Sequence, residues 1–174
     1  MKYFGQRIYL KILIPDDVGE GYVQWMNDPD INQFLESRFQ YHTLDSVKAF
    51  VAEMSAGAGN MLFGIFLRET AEHIGNIKIG NINSLHRRAD IGLIIGKREL
   101  WGQGFAAEAI GLATKYAFEE LNLYKLTAGM YAENQGSFKA FLKNGWQQCG
   151  TLKQHAFSHG RYVDELMVEI CREA

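Results

Sequence analysis

The chain has 174 residues, 47% of them hydrophobic and 22% charged, which is typical of one soluble domain with a sizeable core. Its net charge of -2 lacks the basic excess that nucleic-acid binding requires, so no nucleic-acid partner is expected. No apolar run approaches the roughly 20 residues that span a bilayer, so no membrane partner is expected either. Cys149 and Cys171 lack CxxC spacing, which favours a reducing cytoplasm, and the scattered histidines predict no metal site.

In chain order, hydrophobic periodicity and turn residues predict the elements β-α-α-β-β-β-α-β-α-β-β. Pro29 stops the first helix and Thr43 caps the second. We expect one domain, residues 1–174, because no linker, repeat or low-complexity stretch interrupts the chain. The first nine elements are predicted at residues 7–14, 18–27, 43–56, 61–68, 74–82, 88–96, 105–121, 124–131 and 135–144. Two terminal strands follow, joined by a turn at His159-Gly160.

The most informative segment is Trp101-Gly102-Gln103-Gly104-Phe105-Ala106, which lies between a predicted strand and a long helix. Glycines let the backbone approach an anion, and the first amides of a helix lack internal partners, so the segment suits a pyrophosphate. Ordinary turn chemistry is the alternative. A dinucleotide loop would require a third glycine near Glu108, and a P-loop would end in Gly-Lys-Ser/Thr; both features are absent.

Two motifs resemble the GNAT superfamily of acetyl-CoA-dependent N-acetyltransferases. Gly102-x-Gly104-x-Ala106 is similar to the family's pyrophosphate loop. The longer motif, with Trp101 before the loop and Glu108-Ala109 after it, resembles the RimJ/RimL-like branch. Residues 134–146 resemble the family's second cofactor motif. The resemblance covers residues 60–170, whereas residues 1–60 fit mainly by the order of their elements.

The resemblance implies the GNAT fold, a central mixed and mainly antiparallel α/β sheet. About seven strands and about four helices are expected, with a splay between the fourth and fifth strands. Acetyl-CoA is the implied cosubstrate, and its pantetheine arm is expected to enter the splay and pair with main-chain groups. The residues that the resemblance assigns to the cofactor are Ile94, Ile95, Trp101, Gly102, Gln103, Gly104, Phe105, Ala106, Asn134, Ser137 and Phe141.

Three residues are candidates for the proton acceptor that acyl transfer to an amine requires. Asp90 shares a strand face with Gly92 and matches a catalytic glutamate of some relatives, but it could instead pair with a neighbouring arginine. Glu36 lies where the family forms its acceptor wall, with a solvated loop charge as the alternative. His86 could relay protons from the turn before Asp90, or could be an ordinary surface histidine.

One position departs from the family pattern. Seven residues after the motif asparagine, relatives usually have a tyrosine that can protonate the departing thiolate, whereas this chain has Phe141. Either another donor replaces the tyrosine or the thiolate leaves without a proton.

The acceptor stays open at the level of sequence. The segment after Asn27-Asp28-Pro29 resembles small-molecule members of the branch, and Arg38, Arg87 and Arg88 could meet the phosphates of a sugar nucleotide, or could be plain surface arginines. An amino sugar is therefore our first choice of acceptor. Alternatives are a protein or peptide N-terminus, a polyamine, and a module that binds CoA without catalysis. Exposed C-terminal strands also suggest a homodimer.

Overall fold

The computed structural model describes residues 2–57 and 59–173, in which eight strands form one sheet in the order β1-β2-β3-β4-β5-β6-β8-β7. The strands are β1 (Lys2–Phe4), β2 (Ile8–Ile12), β3 (Met61–Leu67), β4 (His73–Asn83), β5 (Arg88–Ile95), β6 (Lys125–Tyr131), β7 (Gln147–Ser158) and β8 (Arg161–Cys171). The α-helices of the same residues are α1 (Glu20–Asn27), α2 (Pro29–Asn32), α3 (Leu44–Ala56), α4 (Phe105–Glu119) and α5 (Gln135–Leu142). None of these helices is long and apolar enough to cross a membrane.

The predicted fold class is confirmed, with one more strand and one more helix than expected. All neighbouring strands pair antiparallel except β5 and β6, which run parallel. The additional strand, β1, has only three residues and is too short to show an alternating pattern. The additional helix, α2, is a single turn that begins at Pro29, where the proline ring suits the first helical position.

Two apolar clusters cover the two faces of the sheet. Alternate residues of β5 divide between them, as strand geometry requires. Ala89 and Ile91 are buried on the face that α4 and α5 cover. Ile94 packs on the opposite face, against the cluster beneath α1 and α3. The sheet is therefore the middle layer of three, and any gap between its strands connects the two faces.

Local signals placed several boundaries correctly. Thr43 accepts a hydrogen bond from the Ser46 amide at 3.2 Å and so caps α3 as predicted. His159 and Gly160 both have positive φ, 49° and 78°, which is the geometry of a tight turn between twisted antiparallel strands. The predicted hairpin between β7 and β8 is therefore confirmed.

Candidate active site

The predicted anion loop is a glycine turn that opens α4. Gly102 and Gly104 have positive φ, 74° and 87°, and Gly104 is the residue just before the helix. The first hydrogen bond inside the helix runs from the Glu108 amide to the Gly104 carbonyl at 3.0 Å. The amides of residues 105–107 precede that bond and lie at the positive end of the helix dipole, so this turn can bind an anion.

A salt bridge that sequence reasoning missed holds this turn against the N-terminal hairpin. One Glu108 carboxylate oxygen accepts the Arg7 amide at 2.8 Å and the Ile8 amide at 3.2 Å. The Arg7 guanidinium donates to the other oxygen at 3.2 Å and to the Gln103 carbonyl at 3.0 Å. Because 101 residues separate Arg7 from Glu108, no local pattern could have indicated the contact. The turn is therefore braced from β2 as well as from its own helix.

Strands β5 and β6 part after a short pairing. The pairing joins only Arg88–Asp90 to Lys125–Thr127. Beyond it, β5 stays paired with β4 as far as Ile95, and β6 stays paired with β8 as far as Tyr131. The facing edges of residues 91–95 and 128–131 are therefore left without a strand partner. Such edges can be satisfied by an extended ligand that carries amides.

The alternation of the backbone decides which residues of β5 face this gap. The Gly96 amide donates to the Ile74 carbonyl of β4 at 2.8 Å, so the main chain of Ile94, two residues earlier, also points toward β4. The main-chain groups of Ile95 and Leu93 point into the gap instead. The Ile94 main chain is therefore turned away from the gap, which does not support its predicted contact with the cofactor, whereas the contact predicted at Ile95 stays a prediction. The Trp101 indole donates to the Ile95 carbonyl at 2.8 Å and leaves the Ile95 amide for a ligand.

Asp90 lies where the two strands part. It is the last residue of β5 that pairs with β6, opposite Thr127. Thr127 Oγ1 donates to one carboxylate oxygen at 2.5 Å, and Asn81 Nδ2 donates to the other at 2.8 Å. The predicted alternative of a pair with Arg87 or Arg88 is not adopted. The Arg87 guanidinium donates to the Asn122 carbonyl and side chain, each at 2.8 Å, and among the described residues no arginine nitrogen lies within 4.0 Å of the Asp90 carboxylate. The Asp90 carboxylate is thus held in place at the closed end of the gap.

Glu36 belongs to a cluster on the opposite wall, at the open end of β6. The Tyr131 hydroxyl donates to Glu36 Oε1 and accepts from Arg38 Nη1 at 2.9 Å. Arg38 also donates to the Leu35 carbonyl at 2.8 Å and the Phe157 carbonyl at 2.9 Å, so its nitrogens are largely taken by protein groups. The phosphate-binding role considered for Arg38 therefore loses support. Arg38 instead clamps the segment before α3 onto β6 and β7.

Tyr131 lies on the wall of the gap, between Glu36 and Arg38. Its side chain is buried, and burial raises the pKa of its hydroxyl above the ordinary value. The hydrogen bond to Glu36 raises that pKa further, whereas Arg38 opposes the rise. Tyr131 therefore keeps its proton well above neutral pH, and its hydroxyl donates that proton to Glu36 in a hydrogen bond.

His86 lies apart from the other two candidates. Its amide donates to the Asn83 side chain at 2.8 Å within the exposed turn that leads into β5. This turn lies beyond the paired residues 88–90, on the side away from the gap. Asp90 and Glu36 therefore both lie along the gap between β5 and β6, whereas His86 lies outside it.

The second cofactor motif forms the start and the core of α5. Asn134 caps the helix by accepting the Ser137 amide at 3.1 Å. Phe141 is 1% exposed and packs edge-on against Trp146, with ring centroids 4.8 Å apart. Phe141 is therefore a core residue beneath the sheet, and its expected contact with the cofactor stays a prediction.

Comparison with known proteins agrees with this geometry. The model of the acetyltransferase (GNAT) domain matches residues 7–147. The uncharacterized N-acetyltransferase YoaA of Bacillus subtilis is 36% identical over 110 residues, which are 63% of this chain and 62% of that protein. Spermidine N(1)-acetyltransferase of Escherichia coli is 37% identical over 91 residues, 52% of this chain and 48% of that protein. The matches thus span 62% and 48% of these two relatives, less than two thirds of either.

A solved structure resembles the whole fold. The spermidine N-acetyltransferase of Vibrio cholerae, in complex with CoA and spermine, superposes with a TM-score of 0.85 at 25% identity. The superposition covers 96% of each chain. Its likeness extends over both sides of the gap between β5 and β6.

The glycine turn can be tested by replacing Gly104 with valine. We expect Gly104→Val to weaken CoA binding by at least about tenfold, roughly the worth of one hydrogen bond to a charged group. The physical reason is that a branched side chain beside the turn would keep the phosphates from its amides. Calorimetric titration with CoA measures the effect.

Gly160→Val is the matched control. Gly160 has a similar φ of 78°, so valine adds similar strain, but it lies in the β7–β8 hairpin turn. If both folded variants bind CoA with wild-type affinity, the turn before α4 is not the phosphate site.

Proposed function

The chain belongs to the GNAT acetyltransferase family, and from that membership we propose that its acceptor is the primary amine of a small molecule. It is an acetyl-CoA-dependent N-acetyltransferase. An amino sugar, free or linked to a nucleotide, is the acceptor class that we favour. We further propose that residues 1–174 form one such domain, since one sheet includes strands from Lys2 to Cys171.

The balance of charge around the gap is the observation that supports a single-amine acceptor. Glu36 lies 3.8 Å from Arg38. Asp90 faces Gly80 across the β4–β5 pairing, and Lys78 Nζ would lie 3.4 Å from a Cβ on that glycine. Glu36 therefore has a cation beside it, and a second cation, Lys78, lies beside the residue that faces Asp90. A polyamine, with several positive charges, needs several uncompensated carboxylates, whereas an amino sugar needs few.

A polyamine is the second candidate, and the relatives are the observation that favours it. The spermidine acetyltransferases of Escherichia coli and Vibrio cholerae act on spermidine by name. The superposition on the Vibrio cholerae enzyme covers 96% of each chain. The sequence match to the first of them covers only 52% of this chain, which weakens the transfer of its substrate.

Three finer properties are also proposed. The motif from Trp101 to Ala109 supports the RimJ/RimL-like branch. Cys149 and Cys171 are both free and exposed, which supports a reducing, cytoplasmic environment. Strand β7 has a partner on one side only among the described strands, and this open edge supports a homodimer.

The proposed reaction is direct transfer between bound substrates. The neutral amine attacks the acetyl carbonyl and forms a C–N bond, and Asp90 takes the amine proton directly or through a water molecule. The tetrahedral intermediate then collapses, the C–S bond breaks, and the electron pair leaves with the CoA sulfur. Main-chain amides at the edge of β5 are positioned to stabilise the oxyanion.

An acceptor screen tests the substrate class. Release of free CoA thiol is followed with glucosamine, spermidine and a short peptide with a free N-terminus, at matched concentrations. We expect the largest kcat/KM with glucosamine, because its single amine suits the balanced charges. A clear preference for spermidine would replace the amino-sugar proposal with the polyamine one, and a preference for the peptide would overturn both.

Asp90→Asn tests the proton acceptor. We expect turnover at pH 7 to fall by about 10²–10⁴-fold, the usual worth of general-base help. Acetyl-CoA affinity should hardly change, because Asp90 lies at the closed end of the gap and away from the glycine turn. Part of the loss should be regained at high pH, where the amine is already neutral.

Asp45→Asn, in the first turn of α3, is the control for a lost carboxylate elsewhere on the molecule. Steady-state rates and calorimetry give both quantities. Wild-type turnover of Asp90→Asn at pH 7 would move the base to another residue, and Glu36 is the next to test.

Phe141→Tyr tests whether the thiolate needs an enzyme acid. A thiol of pKa about 8.5 is a tolerable leaving group, so we expect turnover to change by less than about tenfold. In the wild type, kcat should rise with pH and then stay level up to about pH 10. A fall at high pH, with chemistry shown to limit the rate, would instead reveal an essential acid. Tyr131, whose pKa is raised, would then be the first residue to test.

A further inference from the structure

Glu165 is a carboxylate of β8 that shares a face with the wall of the gap. It pairs with Tyr131 of β6, and Met167, two residues on, pairs with Gly129. Residues directly opposite each other in an antiparallel pair project to the same side of the sheet. Glu165 therefore lies on the side of Tyr131 and Thr127, where Asp90 also lies.

A glycine makes the room that the Glu165 side chain occupies. A Cβ on Gly129 would come within 2.1 Å of Glu165 Oε1 and 3.2 Å of the Met167 sulfur. The carboxylate consequently lies directly over the main chain of Gly129. That residue is exposed and belongs to the half of β6 that has parted from β5. Glu165 thus presents its charge at the gap itself.

The charge of Glu165 is compensated less than that of its neighbours. Its side chain is 22% exposed, and among the described residues no lysine or arginine nitrogen lies within 4.0 Å of its carboxylate. Two carboxylates of the same strand are paired with lysine at shorter distances, Asp164 with Lys153 at 2.8 Å and Glu169 with Lys125 at 2.5 Å. A half-buried carboxylate without a strong cation favours binding of one.

The nearest basic group to Glu165 is a histidine that a strand irregularity brings to it. The pairing of β7 with β8 shifts register between Leu152 and Ala156. Within the shift, Gln154 has φ of 51° and its amide donates to Asp164 at 2.9 Å. His155 Nε2 then lies 3.6 Å from Glu165 Oε2. This contact orients one oxygen of Glu165 and leaves the other, Oε1, over Gly129.

The two carboxylates lie beside residues of β6 that are two positions apart. Asp90 is hydrogen-bonded to Thr127, and Glu165 lies over Gly129, two residues along the same strand. Alternate residues of a strand are about 6.7 Å apart. An ammonium nitrogen lies about 2.7–2.9 Å from each carboxylate oxygen that it contacts, so it spans at most about 5.8 Å between two oxygens, and one bound to Glu165 lies next to Asp90.

From this geometry we propose that Glu165 binds the ammonium group of the acceptor and holds it beside Asp90. The inference rests on the proposed function and names a binding residue for its substrate. Glu165 fixes the position of the amine, and Asp90 accepts the proton. Because no lysine or arginine nitrogen lies within 4.0 Å of the Glu165 carboxylate among the described residues, the site suits an acceptor that brings an ammonium group to it.

The test is the acceptor dependence of Glu165→Gln. With glucosamine as the probe, we expect the acceptor KM to rise by at least about tenfold, because a charge-assisted hydrogen bond to the ammonium is lost. The kcat at saturating glucosamine should stay within about threefold of the wild type, and the acetyl-CoA KM should not change. A merely structural role would not move the acceptor KM alone.

Two further variants sharpen the result. Gly129→Ala leaves the charge but displaces the carboxylate, so it should raise the glucosamine KM in the same direction. Glu169 lies on the same strand and face, opposite Thr127, and its carboxylate pairs with Lys125 outside the gap. Glu169→Gln should therefore leave the glucosamine KM unchanged. Melting curves show which variants are folded.

The outcomes separate this inference from the proposed function. If the wild type acetylates glucosamine and Glu165→Gln keeps its KM, or if Glu169→Gln raises that KM as much, the Glu165 assignment is wrong and the function stands. If the wild type acetylates only spermidine, the same comparison is made with spermidine and the same outcomes decide. A wild type that releases no thiol with either amine overturns the proposed function and this inference together.

Discussion

Two neighbouring strands of one sheet stop pairing after three residues, and the active-site geometry follows from that break. A continuous sheet would satisfy every main-chain group of β5 and β6 internally and would separate its two faces. The break leaves main-chain groups that only a ligand can pair, and it joins the face of the glycine turn to the face of the acceptor wall. Asp90 and Thr127 mark the point of separation, and the Thr127 hydroxyl donates a hydrogen bond to the Asp90 carboxylate there.

The two strands beside the gap, β5 and β6, are each held in position by a different set of contacts. On one side, β5 stays paired with β4, and the turn after it is tied by Glu108 to the amides of Arg7 and Ile8. On the other side, β6 stays paired with β8, and Arg38 fixes the wall segment to Tyr131. Since neither set crosses the gap, the opening is part of the fold and does not have to be created by the ligand.

The sequence predicted those parts of the structure whose signals are local. Thr43 caps α3 through a residue three positions away, and Gly102 and Gly104 adopt the positive φ that their type suggests. Such features depend on a few consecutive residues, so a pattern contains them. The splay between two strands was predicted only from the resemblance to a family, because periodicity alone does not reveal it.

The rest depends on contacts between distant segments. Arg38 meets Tyr131 across 93 residues, and the carboxylate of Glu165 occupies space left by Gly129 in another strand. Which of Ile94 and Ile95 turns its main-chain groups toward the gap depends on which strand borders each edge of β5. The sequence does not indicate this, because the two edges of a strand look alike in sequence. Phe141 is buried in the core beside Trp146, a contact that the sequence did not indicate.

Amide hydrogen exchange with and without CoA measures the central claim most directly. The claim is that the unpaired edge of β5 and the glycine turn together bind the cofactor. It predicts that CoA slows exchange at the amides of Leu93 and Ile95 and at residues 102–107, while α3 exchanges unchanged. Slowing confined to other segments, with binding confirmed by calorimetry, would contradict the claim and place the cofactor elsewhere.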